Sequence, residues 1–341
     1  KKILGSDHSH TAKVLNRLGL LYTAQGRYAE AEEQLLQAVA LITKILGPDH
    51  PNAANILSDL AKLYRIRGRY VEAESLYKQA LTTLDANLGV EHPETAFVLN
   101  NLALLYSTQG KYAEAESLYQ RALSSKIALG ERHPSVAAIV HNLGRLYRVQ
   151  GMFGEAEGLF KQALAIREEF LGSNHPDTAS SKSQLAGVYK DQGKGFEAEE
   201  LFLQAIEIHK KALGSEHPNT ASIFNDLALL YDYLGKYAQA ELLFQKVLLT
   251  YQDAYGSDHI NTATVLNNLA KVYNHQGKYA EAAILFQQAL TTYENVMGSE
   301  HPLVAKILEN YMDLLMNMKM EREVIDLRER IRSIRSSQNK S

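Results

Sequence analysis

The chain has 341 residues, of which 45% are hydrophobic and 22% charged, with a net charge of −3, no cysteine and no tryptophan. That composition belongs to a folded protein too long for one ordinary core; it excludes disulfides and thiolate metal sites and argues against a general affinity for nucleic acid or anionic lipid. No apolar run approaches the ~18 residues of a membrane span, so no membrane partner is expected, and a cysteine-free chain suits the cytoplasm.

The opening KKILGSDHSH lacks the apolar stretch of a signal peptide and matches the end of a repeat copy, so residues 1–5 are expected to be the remnant of a preceding repeat helix. Leu-Gly or a close variant then recurs at Gly5, Gly47, Gly89, Gly130, Gly172, Gly214, Gly256 and Gly298, at intervals of 42 residues with a single interval of 41. A second glycine falls midway, at Gly26, Gly68, Gly110, Gly151, Gly193, Gly235 and Gly277. The spacing divides residues 6–341 into eight units of two segments each, at about 6–47, 48–89, 90–130, 131–172, 173–214, 215–256, 257–298 and 299–341.

In the first segment of the third unit Leu99, Leu102, Ala103 and Tyr106 recur at helical spacing, with Phe97, Asn100, Leu104 and Ser107 on the opposite side. A proline follows a histidine at Pro51, Pro93, Pro134, Pro176, Pro218 and Pro302, which suits the first helical position, so the helix is predicted to start there and run to the mid-unit glycine. In the second segment Ala115, Leu118, Tyr119, Ala122 and Leu123 repeat the helical pattern, and the closing glycine can take a left-handed conformation. Small residues at Gly19, Ala61, Ala103, Gly144, Ala186, Ala228 and Ala270 permit close approach, and the rings of Tyr22, Tyr64, Tyr106, Tyr147, Tyr189, Tyr231 and Tyr273 are expected to fill the spaces between. One hairpin cannot bury both apolar faces, so the predicted fold class is all-α, a solenoid of stacked antiparallel helix pairs.

Three departures stand out. The single short interval loses its residue between Gly110 and Gly130, a helix rotation of ~100° that is expected to change the local curvature. Gly195-Phe196 inverts the usual order of aromatic then small residue, so that turn is expected to pack differently. In the last unit Lys319 replaces the mid-unit glycine and Val324, Arg328 and Ile331 replace the usual residues, which marks a C-terminal cap.

The order Leu-Asn-Asn-Leu-Ala-x-x-Tyr, Gln-Gly-Lys-Tyr-x-x-Ala-Glu and Ala-Leu resembles a tetratricopeptide repeat, and the long period with Leu-Gly-x-x-His-Pro resembles the kinesin-light-chain type. The resemblance covers almost the whole chain. It implies a right-handed solenoid with first helices on a concave surface, about eight residues longer per unit than the common form, and recognition of partner proteins.

Little in the chain looks catalytic. His8, His50, His92, His133, His175, His217, His259 and His301 repeat with the period, but equivalent positions on stacked helices lie ~8–10 Å apart, too far to share a metal ion, so they are expected to close loops or cap helices. Glu114, Glu116 and their equivalents are expected on an exposed face, complementing helix dipoles. Phosphate-loop, dinucleotide, zinc-protease and nucleophile-elbow motifs are all missing, so no catalytic residue, cofactor or metal ligand is assigned and the chain is not expected to be an enzyme.

The arrangement that the resemblance implies places Lys13, Asn16, Lys62, Arg65, Asn100, His141, Arg145, Arg148, Lys190, Asn225, Asn267, Lys271 and Asn274 in the groove. Lys62, Arg65, Arg145, Arg148 and Lys190 face only Asp191, a positive trough on an acidic chain. Arg145 and Arg148 fall in no packing register. Asn101, Asn142, Asn268 and Asn310 stand in the neighbouring row, where their amides can serve either an extended peptide or hydrogen bonds between adjacent helices. The reading is a scaffold or adaptor that holds an extended acidic peptide of a partner protein, with no nucleic-acid partner. A sensor arm controlling an effector domain elsewhere, and a structural spacer with an empty groove, are the alternatives.

Overall fold

At each His-Pro step the histidine side chain caps the helix that follows. Nδ1 of His50, His92, His133, His175 and His217 accepts the backbone N–H two residues on at 3.1–3.2 Å, and His259 and His301 do the same. One orphan donor of the first turn is thus satisfied, while proline at the first position removes another. The periodic histidines are caps, as their geometry required; His8 lies outside the described residues.

The computed structural model describes residues 9–124, 130 and 132–338. Contacts divide the chain after Val188 into two compact units. The first contains α1 (Ser9–Ala24), α2 (Tyr28–Leu46), α3 (Pro51–Ile66), α4 (Tyr70–Leu88), α5 (Pro93–Thr108), α6 (Tyr112–Leu123), α7 (Pro134–Val149), α8 (Phe153–Leu171) and α9 (Pro176–Asp191) up to Val188. The second contains α10 (Gly195–Leu213), α11 (Pro218–Tyr233), α12 (Tyr237–Tyr255), α13 (Ile260–His275), α14 (Tyr279–Met297), α15 (Pro302–Asn317) and α16 (Glu321–Gln338). No strand occurs among the described residues, and the fold is an all-α repeat solenoid. The expected change of curvature falls on residues 125–129, outside the described residues.

The contact that sets the spacing of the helices joins a small residue of a first helix to a large one of a second helix. A Cβ added at Gly144 would stand 3.2 Å from the Phe160 ring, and one at Gly19 would stand 2.6 Å from Leu35. Leu35, Tyr77, Tyr119 and Phe160 in the first unit, and Phe202, Phe244 and Phe286 in the second, are fully buried. Second-helix side chains therefore fill the spaces that the sequence assigned to the Tyr22 row.

The Tyr22 row does something else. Tyr64 and Tyr231 are buried and the other members half-buried, and the hydroxyls reach back to the preceding second helix. Tyr64 donates to Glu32 at 2.9 Å, Tyr106 to Glu74 at 2.9 Å, Tyr147 to Glu116 at 2.6 Å and Tyr231 to Glu199 at 2.8 Å. A cation from the mid-unit turn covers the ring and meets the same carboxylate: Arg69 lies 3.9 Å from the Tyr64 ring centre and 2.8 Å from Glu32, and Lys278 lies 5.0 Å from the Tyr273 ring and 2.9 Å from Glu241. Burial opposes the ionised Glu32, but hydrogen bonds from Arg69 and Tyr64 outweigh it and hold its carboxyl below the ordinary range. Glu116 and its equivalents thus link successive helix pairs rather than serve helix dipoles. Met152 breaks the pattern, leaving Tyr147 and Glu116 without the turn cation.

Backbone conformation explains the glycines. Gly47 closes its helix with φ 89° and ψ 159°, a region that glycine alone occupies comfortably, rather than the helix-like left-handed form expected. Gly195 begins α10 beneath Leu234, whose Cδ2 would be 3.1 Å from an added Cβ, and the displaced ring of Phe196 is 79% exposed. In the last pair Val324, Ile331 and Ile334 are buried while Arg328 is exposed, the two-faced pattern of a cap.

Lys319 has φ 60° at the position of the mid-unit glycine. Replacing it with glycine removes the side-chain penalty of that conformation, and Lys319→Gly is expected to stabilise the last helix pair by about 1 kcal/mol. A urea titration reads the change, and an unshifted midpoint would refute it. Burial also pushes His259 and His301 below 6.5. The folded form then binds fewer protons than the unfolded chain, so their contribution is complete above pH 6.5 and is lost as pH falls towards the folded values. Melting temperature should decline as pH falls below 6.5, and less steeply in His301→Asn, whose amide caps without titrating.

Candidate functional site

In the first unit α3 and α7 carry the charged row that the sequence predicted. Lys62 and Arg145 are exposed, and Arg65 and Arg148 are half-buried. Beneath them lie the fully buried rings of Tyr77 and Tyr119, whose hydroxyls meet no well-formed hydrogen bond. Desolvation pushes both phenols up to about 12, while the charge of Arg65 acts on both in the opposite sense and that of Arg145 acts on Tyr119. Two arginines therefore share a floor of hydroxyls. The next second helix has Phe160 in that register, and the polar floor ends there.

The asparagines do the structural one of their two possible jobs. Asn142 Nδ2 donates to Asn100 Oδ1 at 2.9 Å, and in the second unit Asn268 donates to Asn225 at 3.2 Å and Asn310 to Asn267 at 3.0 Å. Asn16 donates likewise to Asp59 at 2.7 Å. Each bond ties one first helix to the next. Asn101 is half-buried beside the Asn100 pair.

The second unit is not a positive surface. Lys190 stands 3.4 Å from Asp191, and Lys271 is half-buried. Where the first unit has Arg65 and Arg148 the second has Asp232, 2.7 Å from Nδ1 of His275, and Asn274, which accepts from Asn317 at 2.9 Å.

His141 sits at the deep end of the positive row, edge-on to Phe160 with ring centres 5.3 Å apart. Desolvation, then the charges of Arg167 and Arg145, push its pKa down to about 3, so the imidazole is neutral at ordinary pH. Arg167 reaches it from α8: Nη1 lies 3.5 Å from His141 Nδ1 and donates to the Asp177 carbonyl at 2.9 Å and to Ser181 Oγ at 2.7 Å. Sequence reasoning confined to first helices missed Arg167, Tyr77 and Tyr119. The available signal was the register of Arg167, which holds Ile42 and Leu84 in earlier repeats. Arg148 also differs from expectation, because it packs: a Cβ at Gly187 would lie 2.4 Å from Arg148 Nη1, so the guanidinium fills the space that this glycine leaves.

Among the described residues no group of three acidic, histidine or cysteine side chains is placed to hold a metal ion, and no helix is long and apolar enough to cross a membrane.

The tetratricopeptide repeat family matches this chain over residues 10–86, 63–128, 125–169, 135–194, 177–248, 243–295 and 262–311. No curated protein matches it. Among solved structures, the nearly identical TPR-like repeats of a putative kinesin light chain from Podosopora anserina are 32% identical, with a TM-score of 0.50 over 60% of this chain and 97% of that one. BtubC (BKLC) from P. vanneervenii is 23% identical, with a TM-score of 0.54 over 67% and 91% of the two chains. A Rap protein complexed with competence and sporulation factor shares the fold at 12% identity, with a TM-score of 0.57 over 98% and 99%. The family match runs from residue 10 to residue 311, and the chain belongs to the tetratricopeptide repeat family, in its kinesin-light-chain-like form.

Proposed function

We propose that this chain is a protein-interaction scaffold, without catalysis of its own, and that the first-helix face of its first unit holds an extended acidic segment of a partner protein in the cytoplasm. The observation that carries the reading is the gathering of Lys62, Arg65, Arg145 and Arg148 above two buried hydroxyls in a chain of net charge −3. Such a surface attracts a carboxylate-rich strand over distance and can hold it with charge-assisted hydrogen bonds at close range. Variation from repeat to repeat in this row, against a nearly constant packing row, supports selection of a partner rather than support of the fold.

Lys62 and Arg145 are exposed, so Lys62→Glu with Arg145→Glu is expected to preserve helicity. Affinity for a fluorescent Glu-rich dodecapeptide should fall roughly thirty-fold, a change of about 2 kcal/mol, and wild-type binding should weaken as salt shortens the ~8 Å screening length. Equal affinity of wild type and double variant at two salt concentrations would place the binding surface elsewhere. Asn142→Ala is the converse test. It breaks the bond to the buried Asn100 and should lower stability by about 1 kcal/mol while leaving peptide affinity unchanged.

A further inference from the structure

Ser181 stands where the other repeats keep apolar core, and Arg167 where the first two do. The Arg167 register holds Ile42 and Leu84 in the first two repeats and His209, Tyr251 and Tyr293 in later ones, and the Ser181 register holds Ile56, Val98 and Ile139, then Ile223, Val265 and Ile307. Ser181 is fully buried and Arg167 half-buried, so two polar groups have entered an apolar contact together. Their mutual hydrogen bond satisfies the hydroxyl but does not neutralise the guanidinium.

Every direct partner of Arg167 is neutral: the Asp177 carbonyl, Ser181 Oγ and the His141 ring. Among the described residues no carboxylate lies within ion-pair distance, and the Asp177 carboxylate acts only from farther away. All the hydrogen bonds described use Nη1, which leaves Nη2 and Nε, the pair of donors that grips a carboxylate in a planar fork. Arg145 is one helical turn from His141 on α7, so two guanidinium groups flank this ring. A charge held partly out of water with only neutral groups in hydrogen-bond contact is expensive unless a counter-charge comes close.

We propose that the partner supplies that counter-charge: one acidic side chain of the bound peptide docks its carboxylate on Arg167 and Arg145 beside His141, making this the anchoring subsite of the first-helix face. The inference rests on the peptide-binding reading above and names the place and the chemical group. His141 fits the role, because desolvation, Arg167 and Arg145 hold it uncharged and it adds no third positive charge beside the two arginines. An anion between the arginines relieves part of that repulsion, so the His141 ring reports occupancy.

The test uses the full chain and the variant Arg167→Met, of similar volume and without charge. Thermal midpoints are measured in sodium chloride and in sodium glutarate of equal ionic strength, and affinities for the Glu-rich dodecapeptide and its all-Gln counterpart. The variant is expected to melt at or above the wild type in chloride, since an uncompensated charge has gone, and to lose the extra stabilisation that glutarate gives the wild type. Its affinity for the Glu peptide should fall roughly ten-fold with that for the Gln peptide unchanged. The His141 ring resonance of the wild type should titrate at higher pH in glutarate than in chloride. A variant that is less stable yet binds the Glu peptide as tightly as wild type would overturn the subsite, leave Arg167 as a structural staple and spare the peptide reading. A wild type that ignores the Glu peptide but keeps the glutarate gain would overturn the peptide reading and retain an anion subsite; loss of both would overturn both. Should Arg167→Met fail to fold, Arg167→Gln keeps a donor towards Asp177 and Ser181 and gives the same comparison.

Discussion

The contact between a small first-helix residue and a large second-helix side chain governs the rest of the structure. At Gly144 and Phe160 the ring lies so close that even a methyl group would have to displace it. Packing at that distance fixes the separation of the two helices, and neither helix alone could bury the surface involved. Repetition of the contact makes the array, because each pair offers its neighbour the same shape. The tyrosine, glutamate and turn-cation link then lies over the outer end of several junctions, where water still screens it, and adds directional bonds to a non-directional packing.

Function can enter such an array where the packing register admits a polar tip. Tyr77 and Tyr119 satisfy the same spatial requirement as Phe160, yet each carries a hydroxyl to the face where Arg65 and Arg145 gather. Arg167 and Ser181 are a deeper substitution of the same kind. Gly187 is a third, since omission of its side chain lets Arg148 lie against α9. All of these belong to the first unit, and the positive face follows their distribution. In the second unit the corresponding rows carry Asp232, Asn274 and the asparagine pairs, which bind one another.

Much of the fold was legible in the sequence because its cause is local. Glycines needing positive φ, proline at a helix start and the capping histidine are visible within a few residues, and Lys319 was recognisable by its place in the count. What lay between repeats was less legible. Helical spacing shows that Tyr64 and Tyr77 both face inward but not which of them meets Ala61, because that depends on the direction in which each helix tilts against its neighbour. The use of Asn142 was likewise open, since an amide serves a peptide or an adjacent helix equally well until the partner Asn100 is in place. Arg167 escaped notice because it sits on a second helix, and comparison with Leu84 and Ile42 of the first two repeats is what marks its charge as a change.

The central claim is that an acidic segment lies along the first-helix face of the first unit. Photo-cross-linking tests it directly, with p-benzoylphenylalanine placed at Phe97, which is 52% exposed on α5, or at Ser117, exposed on the second helix α6 of the same pair. Irradiation with the Glu-rich dodecapeptide is expected to give an adduct at position 97 and none at position 117. An adduct at 117 alone would contradict the account and move the binding surface to the second helices.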